Sequence, residues 1–228
     1  TSYGTHLLWP FSDERIAWSI IAIVDPVFTL LLLIPLIIGT RQCRPVFTRL
    51  ALGMAAIYLL FAVSQSERAY DLAETTAASR GHTIDRLVVK PTLANLVLWR
   101  SVYESGGQIY VDAMHVGLSG TGRVYPGNSL PKLDPDRIDI LPIDSRTMQD
   151  IHRFARFSDN WLSIHPEQPD LFGDIRYAML PNSTIPLWGI RIDPEAPEMP
   201  PQFVTNRAFT AQMRHDFINM LRGKDLQD

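Results

Sequence analysis

The chain has 228 residues, 46% of them hydrophobic, with 21 Lys and Arg against 24 Asp and Glu for a formal net charge of −3. No dense Lys/Arg stripe is interleaved with aromatics, which argues against nucleic acid as a partner, and the single cysteine, Cys43, rules out an intramolecular disulfide and a thiolate-built zinc site. A mean hydropathy of +0.01 averages two unlike parts, since the continuous apolar stretches lie almost wholly before residue 64.

Thr1 to Arg15 lacks a basic start and a small-residue cleavage site, so it does not read as a signal peptide; with no initiator Met, a fragment or processed chain is expected. Gly4 and Pro10 punctuate it as a loop, and Tyr3 and Trp9 suit the headgroup level of a membrane. Ser12 or Asp13 is expected to cap a helix from near Glu14, with Trp18 in its first turns.

From Ile16 to Gly39 the chain is apolar except for Asp25, long enough to cross a bilayer, which takes about 20 helical residues. Asp25-Pro26 and Pro35 are expected to interrupt this first span, giving a kinked helix packed against protein. A carboxylate in hydrocarbon demands a partner, a wet cavity or a chemical task. Asp25 therefore has two readings, a metal ligand or general base, and a capping carboxylate at the proline break. His6 offers a nitrogen ligand or proton shuttle, although a lone loop histidine is more often solvated.

Leu50 to Ser66 is a second uncharged stretch able to span if Arg49 snorkels. Arg41, Arg44 and Arg49 bracket the connection and favour a cytoplasmic position for it, with the N-terminal loop and everything after Ser66 on the far side. A helical continuation runs from Glu67 to about Ser79 and stops at Gly81. This divides the chain into a membrane region, 1–81, and a soluble β-rich domain, 82–228.

From Leu87 onward strands are expected. Leu96–Tyr103 and Gln108–Val116 flank Ser105-Gly106-Gly107 as a hairpin, and alternation of Tyr110, Asp112 and Met114 with Ile109, Val111 and Ala113 predicts one packed and one wet face. Gly117 to Pro142 reads as loop, a lid or connector. Asp144 or Ser145 caps a short helix to about Arg156; two strands are then expected near Asp174–Met179 and Leu187–Asp193. A final amphipathic helix, from about Asn206 to Arg222, carries Phe209, Met213, Phe217, Met220 and Leu221 on a stripe expected to pack on the sheet. The expected fold is an α+β membrane protein: two N-terminal transmembrane helices, then an antiparallel β-rich soluble domain with a C-terminal helix.

Chemical motifs are sparse. HExxH, GxSxG and a Gly-rich phosphate loop in strand-to-helix context are missing; Gly117 to Gly122 reads as a loop. His152, His165 and His215 are too widely spaced to support a three-histidine metal site, and Asp174 with Arg176 reads as a salt-bridged strand pair.

Thr1-Ser2-Tyr3-Gly4-Thr5, Leu7-Leu8, Pro10-Phe11-Ser12 and Ile23-Val24-Asp25-Pro26, together with Leu98-Trp99-Arg100, Arg156-Phe157-Ser158, Asp174-Ile175-Arg176-Tyr177 and Trp188-Gly189-Ile190, resemble the YdjM-like family of bacterial inner-membrane proteins described as metal-dependent hydrolases. The resemblance implies a polytopic membrane part bearing a metal site, with a soluble β-rich region after it. It also implies His ligands upstream of the Tyr3-Gly4-Thr5 block, with an H-x-x-x-D element directly before Thr1, positions this chain lacks. Thr1, Tyr3, Thr5 and Asp25 carry over as residues near the site; His6 falls on a variable position.

By this resemblance the chain is the C-terminal part of an inner-membrane, metal-dependent hydrolase, expected to be inactive alone. A divalent ion, zinc among the candidates, would polarise water beside the membrane. Asp25 would ligate that metal or orient a ligand, and Tyr3 and Thr5 would offer hydroxyls, which makes Asp25, Tyr3 and Thr5 the catalytic candidates. Placement points to a membrane lipid or lipid-linked ester as substrate, and to a multi-pass bacterial inner-membrane protein with a periplasmic soluble domain. The rival is a non-enzymatic membrane-anchored module that binds a protein partner or envelope component, which explains why no catalytic signature concentrates after Leu87. A transporter fragment using Asp25 is disfavoured by the large soluble portion.

Overall fold

The computed structural model describes residues 4–13, 15–118 and 120–226. The first helix, α1, runs over Pro26–Gln42 with Pro26 in its first turn. Asp25 is its N-cap, in extended geometry, and Asp25 Oδ1 accepts a 3.0 Å bond from the Phe28 amide. Asp25-Pro26 is thus a helix start rather than a kink inside a span, as expected where proline's missing N–H falls among the unpaired amides of a first turn. Residues 15–25 hold no helix, which corrects the helix expected from near Glu14; Glu14 itself lies outside the described residues. Pro35 sits inside α1 without ending it.

Cys43, in left-handed geometry, closes α1, and α2 begins two residues later at Pro45. So short a connection folds the helices back on each other as a hairpin. Gly39 is buried at their contact, where an added Cβ would stand 3.2 Å from Phe47 Cβ. α2 continues unbroken over Pro45–Ser79, about 52 Å of helix, and so merges the second apolar stretch with its polar continuation. Among the described residues α2 is the one helix long and apolar enough to cross a membrane; α1, with 17 residues, is a shorter apolar helix.

Next comes a four-stranded antiparallel meander, with β1 Arg86–Pro91, β2 Leu98–Ser105, β3 Gln108–His115 and β4 Arg123–Pro131 in spatial order. The β2–β3 hairpin closes through Gly106 and Gly107, at φ 57 and 78, the positive φ pair that a two-residue turn needs. β4 lies within the region expected to be loop. Its Pro126 and Pro131 are accommodated because it is an edge strand, and a bulge between Tyr110 and Asp112 adjusts the pairing.

Both faces of this sheet are covered, which corrects the expected wet face. Ala69 and Ala73 of α2 pack on Trp99 and Met114, while Val102, Ile109 and Val111 on the reverse face meet Trp161 and Ile175. Asp112 is fully buried against Arg80, which closes α2 and holds both Asp112 oxygens at 2.7 and 2.8 Å. The hydrophobic core therefore crosses residue 81, drawing on α2 from one side and the strands from the other.

The second antiparallel sheet comprises β5 Leu162–His165, β6 Gln168–Asp174, β7 Trp188–Arg191 and β8 Gln202–Thr205. β6 ends at Asp174, where the sequence pattern predicts a strand to begin, and β5 and β8 are too short to leave a period in the sequence. α3, Arg146–Phe157, is capped by Ser145 and packs Met148, Ile151 and Phe154 with Leu162 and Phe172. α4, Ala211–Leu221, is capped by Thr210, and its Met220 and Phe217 rest on Leu98, Ala113 and Tyr125. The fold is α+β, with two antiparallel sheets and a C-terminal helix.

Candidate functional site

Asp25 is 4% exposed and both of its carboxylate oxygens are engaged. Oδ1 caps α1, and Oδ2 accepts a 2.6 Å bond from the hydroxyl of Tyr58 on α2. The cost of placing a carboxylate among apolar side chains is met by an amide at the positive end of a helix and by a hydroxyl. Tyr58 is a partner that sequence reasoning missed; its signal is that it is the one tyrosine in the second apolar stretch, Leu50 to Ser66.

Thr5 exchanges backbone bonds with Ile16, N to O at 3.1 Å and O to N at 3.0 Å, and so pins the N-terminal loop to the segment that leads to α1. Tyr3 and Thr1 lie outside the described residues. His6 accepts from Arg15 Nε at 3.4 Å. Among the described residues no three His, Cys, Asp or Glu side chains are grouped to hold a metal ion. The described residues around Asp25 do not by themselves fit a divalent ion. His152, His165 and His215 stay on α3, β5 and α4.

Where the apolar half of α2 ends, Gln65 and Arg68 fasten the sheet to the helix. Gln65 Nε2 donates to the Leu96 and Val116 carbonyls at 3.1 and 3.0 Å, and Arg68 bridges Gln65 Oε1 to the Gly117 carbonyl. The loops gripped in this way carry Leu93 and Leu118, 65% and 76% exposed. On the N-terminal loop Leu7, Trp9 and Phe11 are exposed as well, as is Trp18 after it.

Between that N-terminal segment and the strands lies an open cavity of about 840 Å³. Arg15, Arg86, Lys90, Arg156 and Arg176 line it, against two carboxylates, Asp13 and Asp159. Arg86 is held by Asp159 and Glu104 and lies 4.7 Å over the Trp161 ring. Arg176 makes a buried two-pronged pair with Asp174, as the sequence pattern predicts; burial nonetheless pushes the Asp174 carboxyl up against the pull of Arg176. Lys90 Nζ donates to the Tyr177 hydroxyl at 3.0 Å, and burial, then repulsion from Arg176, pushes its ammonium down to about 8. Arg15 and Arg156 are exposed, and among the described residues neither has a carboxylate partner. A buried lysine beside like charges in a cleft marks the cavity as a candidate ligand site.

Arg100 of β2, opposite Lys90 in the β1–β2 register, gathers the chain that comes after β6. Its guanidinium donates to the carbonyls of Ile175, Leu180, Pro181 and Ser183, at 2.7 to 3.3 Å.

Neither a curated protein nor a solved structure matches the chain. Residues 1–69, which hold Thr5, Asp25, Tyr58 and the N-terminal wall of the cavity, match the family model described as YdjM inner membrane protein, in agreement with the resemblance carried by the Tyr3-Gly4-Thr5 block.

Proposed function

We propose that the protein is a membrane-anchored binding module of the bacterial inner membrane, in which α1 and α2 cross the bilayer as a hairpin and the α+β domain rests on the membrane surface. The observation that carries this reading is the double use of α2: its first half is apolar and outward-facing, and its second half is the support of the first sheet. The exposed Leu93, Leu118, Trp9, Phe11 and Trp18 agree with an interfacial collar. α1 is about 25 Å long, short of a hydrocarbon core of about 30 Å, a mismatch that local thinning of the bilayer absorbs at small cost. Arg41, Arg44 and Arg49 at the hairpin tip favour a cytoplasmic tip and a periplasmic domain.

Cys43 at that tip is exposed and is the chain's one cysteine, so it reports the topology directly. A membrane-impermeant maleimide applied to spheroplasts is expected to label Cys43 only after permeabilisation. Glu167→Cys in a Cys43→Ser background is expected to react without it. Reaction of both sites in intact spheroplasts would mean that the hairpin does not cross.

A second reading, a metal-dependent hydrolase acting on a membrane lipid or lipid-linked ester, draws on the buried Asp25 within the matched segment. It requires Asp25 as a ligand, with Tyr3 and Thr5 close by and further ligands from outside the described residues. Metal analysis of the full-length protein and its Asp25→Ala variant separates the readings. A stoichiometric divalent ion and a hydrolytic turnover both lost with Asp25 would favour the hydrolase; equal metal content and turnover in both would remove Asp25 from any such chemistry.

A further inference from the structure

We propose that the cavity between the N-terminal segment and β1 binds the phosphate of an anionic membrane lipid, with Arg15 and Arg156 as its principal contacts. For the lipid as source, the proposal rests on the seating of the domain on the bilayer; for the phosphate it rests on the cavity alone.

Charge comes first. A chain of net charge −3 has gathered five cationic side chains and two carboxylates around one opening. Two of those cations are already engaged by carboxylates, Arg86 by Asp159 and Glu104, and Arg176 by Asp174. Arg15, whose Nε alone reaches His6, and Arg156 bring exposed guanidinium groups to the lining of the opening from two separate elements, the N-terminal segment and the end of α3. A guanidinium pair of this kind is the preferred receptor for a phosphate, because each fork matches two of its oxygens. Lys90, which lines the same opening from β1, would be relieved of the repulsion it now feels once an anion enters.

Position comes second. Tyr70, which lines the cavity from α2, lies four residues beyond Ser66, about 6 Å along the helix past the end of the apolar stretch. That is headgroup depth for a helix whose apolar half is in the bilayer. The N-terminal segment carries Trp9, Phe11 and Trp18 exposed, residues suited to the membrane–water interface, while Arg15 lines the cavity. Size is consistent, since about 840 Å³ falls within the range of small-ligand sites and far exceeds a single inorganic ion.

The test uses the full chain in a neutral detergent, titrated by calorimetry with dihexanoyl phosphatidate, dihexanoyl phosphatidylcholine and inorganic phosphate. Phosphatidate is expected to bind, and the Arg15→Gln/Arg156→Gln double variant to weaken it about tenfold or more. A control of equal charge change, Arg207→Gln/Arg214→Gln on the exposed α4 side, is expected to leave the affinity within about twofold, and both variants to keep the wild-type melting temperature. Equal weakening by the two variants would reduce the effect to overall charge and overturn the site. Phosphatidylcholine binding as well as phosphatidate, or no binding by the wild type, would also overturn it. Inorganic phosphate matching phosphatidate in affinity would overturn the lipid as source. Because titration in detergent needs no bilayer, failure here is distinct from failure of the Cys43 topology test.

Discussion

The Tyr58 hydroxyl donates to Asp25 Oδ2 across 2.6 Å, a polar tie between two apolar helices. Tyr58→Phe keeps the ring, which lies 6.0 Å from Phe28, and removes only the donor. A buried carboxylate oxygen left unsatisfied costs about 1–3 kcal/mol. Thermal unfolding in neutral detergent is expected to show that loss for Tyr58→Phe, and a larger one for Asp25→Ala, which also removes the cap. An unchanged midpoint for Tyr58→Phe would mean that the tie does not support the hairpin.

At the other end of α2, Asp112 is buried beneath Arg80, and its hydrogen bond is the main reason the guanidinium is held above its usual range. Arg80→Ala is expected to destabilise by about 3–5 kcal/mol because it strands the fully buried Asp112 carboxylate, and Asp112→Ala to cost less because Arg80 stays within reach of water. Arg80→Ala/Asp112→Ala together should cost less than the sum of the single variants. Additive losses in the double-mutant cycle would show that the pair is not coupled.

Arg100 serves four carbonyls at once, and a lysine ammonium lacks the planar fork to reach them all. Arg100→Lys is expected to lose about 2–4 kcal/mol and to speed amide exchange in the segment from Ile175 to Ser183 ahead of global unfolding. Exchange that accelerates uniformly would place the effect elsewhere.

Lys90 titrates near 8 when folded and near 10.4 when unfolded, so between those values the unfolded chain binds more protons. Stability attributable to Lys90 therefore rises with pH across that window, while below about 8 its burial penalty is constant. Melting temperatures of the wild type measured from pH 7 to 10 are expected to climb relative to Lys90→Met. Parallel curves would show that Lys90 is not depressed in the folded protein.

Local chemistry made some of this architecture readable. Two adjacent glycines marked the β2–β3 turn, Ser145 announced α3, and Asp25-Pro26 carried a capping reading that the helix start bears out. What stayed hidden depends on distant parts of the chain. One face of the first sheet was expected to be wet because period-two alternation marks two faces without saying what covers them, and the partner that buries Asp112, Arg80, is 32 residues away. β4 was disguised by Pro126, Gly127 and Pro131, residues that an edge strand tolerates. The cavity was invisible for a similar reason: its cations come one or two at a time from the N-terminal segment, β1, the end of α3 and the turn after β6, and no stretch of sequence holds them as a cluster.

α2 has no proline after its first turn and no break before Ser79. Gln65, Arg68 and Arg80 clamp the sheet to it at two separated levels. In the proposed seating of the hairpin across the bilayer, such a rod leaves no pivot at the membrane surface. If bilayer thickness alters the tilt of its apolar half, the whole domain leans with it, and the mouth of the cationic cavity swings toward or away from the headgroups. Lipid thickness would then act as a lever on access to the site, set by the mechanics of one helix rather than by any loop that opens or closes.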